Sequence, residues 1–214
     1  MADVKTRLRI GERALPEASG TDRAFSLRWA FDGQDSPVVP TQGVRVRTTL
    51  RHFIDTPEIV VGEDIALRGT RDVRQAEATG SWFRRVGTRH RLFVSSGGGT
   101  SFGRNAGFNE FRLGGPLRLG ALNNDEIRGN HYMLGVAGVL REWFRLPSGL
   151  GGNAYIGGWL EQGTAFDRWR DAEYKSSVSV GVLLETPIGP AFVAYSQSVT
   201  GGRRLYTSVG SFLR

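Results

Sequence analysis

The 214-residue chain is 39% hydrophobic and 23% charged, with 30 glycines, five tryptophans, twelve phenylalanines and no cysteine. That excludes disulfides, thiolate metal sites, cysteine nucleophiles and wholesale disorder. The net charge of +7 rests on arginine, because Lys5 and Lys175 are the only lysines; it fits nucleic acid, anionic lipid or an acidic substrate until the arginines are placed on a structure.

In chain order, the pattern is one of alternation. Val4, Thr6, Leu8 and Ile10 oppose Lys5, Arg7 and Arg9. Phe25, Leu27, Trp29 and Phe31 oppose Ala24, Ser26, Arg28 and Ala30. Val44, Val46, Thr48 and Leu50 oppose Arg45, Arg47, Thr49 and Arg51, and Val178, Val180, Val182 and Leu184 oppose Ser177, Ser179 and Gly181. A period of two predicts half-covered strands. Strands are expected near 3–12, 24–33, 43–55, 72–86, 89–97, 108–114, 131–146, 153–166, 175–188, 190–199 and 204–213. Asp32-Gly33, Pro57, Gly69, Pro147-Ser148-Gly149, Gly189-Pro190 and Gly201-Gly202 mark turns between them. Gly97-Gly98-Gly99 reads as a loop, and the 121–130 link has room for a helical turn. No stretch approaches the roughly 20 apolar residues of a membrane helix. Residues 1–9 hold no apolar core of signal-peptide length, so the expectation is either that the protein stays inside the cell or that an export leader lies upstream.

Two architectures fit such strands. A soluble sandwich or ligand-binding barrel turns the apolar rows inward; a transmembrane barrel turns them to lipid and keeps arginines in a wet lumen. Strands of about ten residues suit a bilayer crossing. Trp29, Phe31, Trp82, Phe83, Trp143 and Phe144 fall near strand ends, where an interfacial girdle would lie.

Gly99-Thr100-Ser101-Phe102-Gly103 fits the G-x-S-x-G pattern of a serine-hydrolase elbow. An elbow needs a helix after the turn, whereas Phe108, Glu110 and Arg112 begin another alternating strand. The one histidine downstream, His131, follows Asp125 and Glu126 too closely for a triad. No catalytic residue is therefore expected. His52, His90 and His131 lack metal-ligand spacing, no phosphate loop is present, and neither a metal nor a cofactor is expected. Asp167 and Asp171 mark a polar external loop. Arg84-Arg85 and Arg203-Arg204 sit at strand ends, solvated or facing lipopolysaccharide phosphates.

Residues 108–121, Phe-Asn-Glu-Phe-Arg-Leu-Gly-Gly-Pro-Leu-Arg-Leu-Gly-Ala, resemble the Phe-x-Leu-Gly-Gly…Leu-Arg-Gly-Tyr signature of the outer-membrane assembly-factor and bacterial surface antigen superfamily. Asp35–Gly43, Tyr155–Thr164, Glu185–Tyr195 and the closing Leu205–Phe212 resemble further stretches of it in the same order. The wording is most similar to the C-terminal barrel of patatin-like phospholipases, and the likeness spans 24–214. Leu119 inserted after Arg118, Ala121 in an aromatic's place, and Leu213-Arg214 after Phe212 depart from the pattern.

The resemblance implies an all-β, antiparallel transmembrane barrel in the bacterial outer membrane. About eleven or twelve strands would be the later part of a sixteen-stranded barrel, making 1–214 one domain incomplete at its N-terminus. It implies an anchor or translocation domain for an attached hydrolase or other passenger, any lipase activity lying upstream. The alternatives are an assembly or secretion pore of the same superfamily, or a soluble ligand-binding barrel. Partners would be outer-membrane lipid, lipopolysaccharide and the barrel-assembly machinery, not nucleic acid. Arg118, on a loop entering the lumen, would pair with Glu161, while Tyr206, Gly210 and Phe212 would form the C-terminal assembly signal.

Overall fold

The computed structural model describes residues 2–3, 17–19, 21–55, 58–61, 64–67, 72–103, 109–147, 149 and 151–210. Nine long strands form one antiparallel sheet in chain order. They are β1 Thr21–Asp32, β2 Gly43–Asp55, β3 Val73–Val86, β4 His90–Phe102, β5 His131–Arg145, β6 Asn153–Phe166, β7 Lys175–Thr186, β8 Gly189–Ser198 and β9 Arg203–Val209. Ala2–Asp3 adds a short pairing to β1. A three-stranded patch, Glu17–Ser19, Glu58–Val61 and Asp64–Leu67, lies apart from the sheet.

Fewer strands share this sheet than alternation suggests. The segment expected at 108–114 yields only Phe111–Leu113, which pairs with Ile127–Gly129 as a separate stem. Residues 4–12 of the first expected strand lie outside the described residues. No pairing joins β1 to β9 among the described residues, so the sheet is open. It is nevertheless strongly curled: Arg45 and Arg47 of β2 line one cleft with Phe192 of β8 and Ser208 of β9. No helical turn occurs in 121–130; the one such turn among the described residues is the 3-10 segment Trp169–Asp171.

The register places unlike residues on the two sides. Glu161 lies between Val136 and Ser177, and Trp159 between Gly138 and Ser179, on the concave side. There Phe83, Phe93, Leu140, Tyr155, Trp159, Leu183 and Phe192 form a buried cluster. Phe83, expected in an interfacial girdle, points inward and stacks on Phe93 at 5.7 Å. The convex side carries Val44, Leu50, Val94, Val139, Ile156, Leu160, Val178 and Val180, all exposed. β1 is bare on both faces along its described side chains.

Gly97-Gly98-Gly99 is strand interior rather than loop. Its inward glycines leave space for rings from elsewhere: a Cβ on Gly99 would stand 2.7 Å from the Phe111 ring and 2.8 Å from that of Tyr132. Gly98 faces the other way, its closest such neighbour 3.6 Å off. Gly99→Val is therefore expected to cost about 1–3 kcal/mol by overpacking, while Gly98→Val, with a better strand former, is neutral or mildly stabilising. Denaturant midpoints of the two variants check this contrast.

Candidate functional site

The stem of Phe111–Leu113 and Ile127–Gly129 launches residues 114–126 into the concave side. The turn needs unusual backbone. Gly114 and Gly115 have φ of 128° and 97°, and Leu117 and Leu119 stand at 56° and 74°. Left-handed backbone is costly for a bulky residue, about 1–3 kcal/mol, and persists only where its surroundings enforce it. Here side-chain burial does so. Leu119 is packed with Phe111, Leu113, Leu122 and Tyr132, and Leu117 joins the cluster around Trp159. The Arg118 N–H to the Gly115 carbonyl, 3.0 Å, and the Gly114 N–H to the Arg118 carbonyl, 2.8 Å, close the turn.

At the tip the loop meets Glu161, a carboxylate only 1% exposed. Its Oε2 accepts the Gly120 N–H at 2.8 Å and the Ser179 hydroxyl at 3.3 Å. The Ser179 and Ser196 hydroxyls are paired, and Ser196 Oγ donates to Tyr206 Oη at 3.3 Å. Oε1 has no hydrogen-bond partner. Gly120 is required by space, since a Cβ there would lie 2.9 Å from Tyr206 Oη. From β9, Arg204 Nη1 donates to the Leu122 carbonyl at 2.9 Å.

The expected pairing of Arg118 with Glu161 is thus corrected in its chemistry. The loop does reach Glu161, but through the backbone of Gly120, and no ion pair joins the two side chains. Arg118 is exposed; its Nη2 donates to the Arg112 carbonyl at 2.8 Å, and its guanidinium lies 5.9 Å from the Tyr132 ring centre. Leu119, left-handed and packed with Phe111 and Tyr132, follows Arg118, and the guanidinium points away from Glu161 while the backbone of Gly120 reaches it. Arg118 instead borders a cleft of about 260 Å³ with Arg45, Arg47, Ser81, Ser95 and Ser208.

Of the three residues expected as an assembly signal, Tyr206 faces the concave side and packs edge-on against Phe192 at 6.0 Å. Gly210, at φ 109°, donates its N–H to the Pro190 carbonyl at 2.9 Å. Phe212 lies outside the described residues. Sequence reasoning missed Gly120, Ser179 and Ser196 as site residues, and read Arg204 as solvated or facing lipopolysaccharide phosphates, where it instead donates to the Leu122 carbonyl. Only the serine alternation in 176–179 hinted at an inward polar row.

Ser101 sits buried within β4, where its Oγ accepts from Gln75 Nε2 at 2.9 Å. Extended backbone through Gly99–Ser101 is not a strand–turn–helix elbow. His131 is turned to Thr100 instead, 2.7 Å away. Asp167 accepts the backbone and side-chain N–H groups of Asn130 at 3.0 and 2.9 Å, fastening the base of the loop to β6. Among the described residues no three His, Asp or Glu side chains converge as metal ligands do. No family model matches this chain, and no curated protein matches it.

Glu161→Ala is expected to release the loop. It leaves the Gly120 N–H without its acceptor, at about 1–3 kcal/mol, and limited proteolysis should then cut within 114–126. Glu161→Gln keeps an acceptor and should leave the loop protected.

Proposed function

We propose that this chain is a wall of an outer-membrane β-barrel that anchors an attached passenger, with a patatin-like hydrolase the passenger its motifs favour. The observation that carries the reading is the convex face. Apolar side chains recur across it from Phe25, Leu27, Trp29 and Phe31 on β1 to Leu205 and Val209 on β9, and these six are each at least half exposed. Contiguous apolar surface of that extent mediates contact with a partner or a lipid bilayer. At about 3.3 Å per residue and a tilt near 45°, ten residues rise about 23 Å, close to the apolar band of an outer-membrane barrel. Trp82, Trp143 and Phe144 stand at one end of these rows, and Phe166 and Trp169, with ring centres 4.8 Å apart, at the other. A soluble barrel would bury those rows. In the resemblance to the surface antigen superfamily, the loop of residues 114–126 is the element that enters the lumen.

Anchoring is favoured over a pore because the lumen is occupied. Leu117, Trp159, Phe93 and Phe192 meet in one cluster, and Glu161 fixes the loop across it. The turns at 87–89 and 187–188 are much shorter than the links at 56–72 and 103–130 on the opposite end. By the usual asymmetry of such barrels the short turns face the periplasm.

Val180→Arg is the direct test. In lipid vesicles it is expected to cost about 2–4 kcal/mol, while Ser177→Ala, on the inward row, should change stability far less. Equal stability of Val180→Arg and the parent would overturn the reading, as would extraction of the parent from membranes by alkaline carbonate. In planar bilayers the parent is expected to conduct poorly and Glu161→Ala to conduct more. A large open conductance in the parent would favour the pore.

A further inference from the structure

The two ends of the sheet treat charge differently. At the end bearing the long links, the charges are largely paired. His52 Nε2 lies 2.8 Å from Asp72, Arg74 lies 3.2 Å from the same carboxylate, and Lys175 is 3.4 Å from Glu173. Arg112 lies 3.8 Å from Asp125, and Arg170 lies 3.7 Å from Asp171. Arg74, and after it His52, hold the Asp72 carboxyl below its usual range.

At the short-turn end, Arg84, Arg85, Arg89, Arg141 and Arg145 are all exposed, and none has an acidic partner among the described residues. The acids nearby are engaged elsewhere. Glu142 and Glu185 turn to the buried Arg91 at 4.0 and 3.8 Å, and Asp32 holds Arg45 at 2.7 Å. Asp35 accepts the Thr41 and Gln42 N–H groups at 2.7 and 3.2 Å.

Register sharpens the picture. On the convex side, Val86, His90 and Arg141 form one cross-strand row of β3, β4 and β5. Arg84 lies one row further in, opposite Leu92. Trp82 and the Trp143–Phe144 pair, with ring centres 5.2 Å apart, border these cations on the same side. Cations beside tryptophan, immediately above a lipid-facing apolar band, lie at the depth of lipid phosphates. Guanidinium is well matched to that group, since it offers paired N–H donors to two phosphate oxygens.

We infer that this rim binds the phosphates of anionic phospholipid in the leaflet at the short-turn end, with Arg84 and Arg141 as the principal contacts. The inference rests on the membrane reading above. The opposite end, where most of the charges are paired, has no comparable preference.

The test uses the whole chain refolded into vesicles of phosphatidylcholine and phosphatidylglycerol, in which one lipid at a time carries brominated tails. Trp29→Phe and Trp169→Phe leave Trp82 and Trp143 as the lipid-facing fluorophores. Quenching should report phosphatidylglycerol favoured over phosphatidylcholine by about fivefold, falling to about one in Arg84→Gln/Arg141→Gln. Arg168→Gln/Arg170→Gln at the far end should keep the native preference. A native ratio near one, or an unchanged ratio in Arg84→Gln/Arg141→Gln, overturns the inference while leaving the membrane reading intact. Absence of quenching by either brominated lipid overturns both.

Discussion

Antiparallel pairing in continuous register is the constraint on which the other features depend. Neighbouring residues of a strand must point to opposite sides, so a one-residue slip anywhere would exchange the two surfaces. Nine strands in step therefore keep Val44, Val94, Leu160, Val178 and Val180 on the convex surface and Arg45, Arg47, Ser177, Ser179 and Glu161 on the concave one. Bulges do not undo this: that between Glu142 and Phe144 falls at the very end of β5. There it leaves Trp143 exposed beside Phe144, adding aromatic surface at the rim.

The concave surface is not uniform along its length. Toward the short-turn end it is filled by rings, Phe83 on Phe93 and Phe192 against Tyr206. Farther along it becomes polar, with Ser177, Ser179, Ser196 and Glu161 buried together. The inserted loop bridges the two zones. Leu117 enters the ring cluster while Gly120 presents its N–H to the carboxylate. Seating the loop satisfies both requirements at once: a hydrophobic plug for the rings and a donor for a charge that could not otherwise be held out of water. Left-handed Leu117 and Leu119 are the conformational cost of serving both from a few consecutive residues.

Much of this was legible in sequence, and the exceptions share a cause. β2 and β6 have the bounds their alternation predicts, 43–55 and 153–166. Glu161 falls on the inward row because Ala154, Ile156 and Leu160 fix the opposite one. The triple glycine was opaque because its reason lies outside β4: only the rings of Phe111 and Tyr132 explain why strand backbone should lack side chains there. Phe83 was misplaced because its convex neighbour Trp82 is equally aromatic, and composition cannot say which of two adjacent rings turns inward. The partner of Glu161 was misassigned for a related reason. A sequence displays guanidinium groups but hides backbone donors, whose direction depends on the left-handed turns just before them. The stem was overcounted because alternation in 108–114 does not reveal that its partner is the short segment Ile127–Gly129.

One edge of the sheet has a consequence for handling and folding of the protein. Among the described residues β1 hydrogen-bonds to β2 along one side only, apart from the brief contact with Ala2–Asp3, and its described side chains are bare above and below. An edge strand paired in this way presents amides and carbonyls flanked by Phe25, Trp29 and Phe31. In bulk water it is a template for the edge of another molecule, and sticky intermolecular cross-strand growth would start there before any other part of the chain had unravelled.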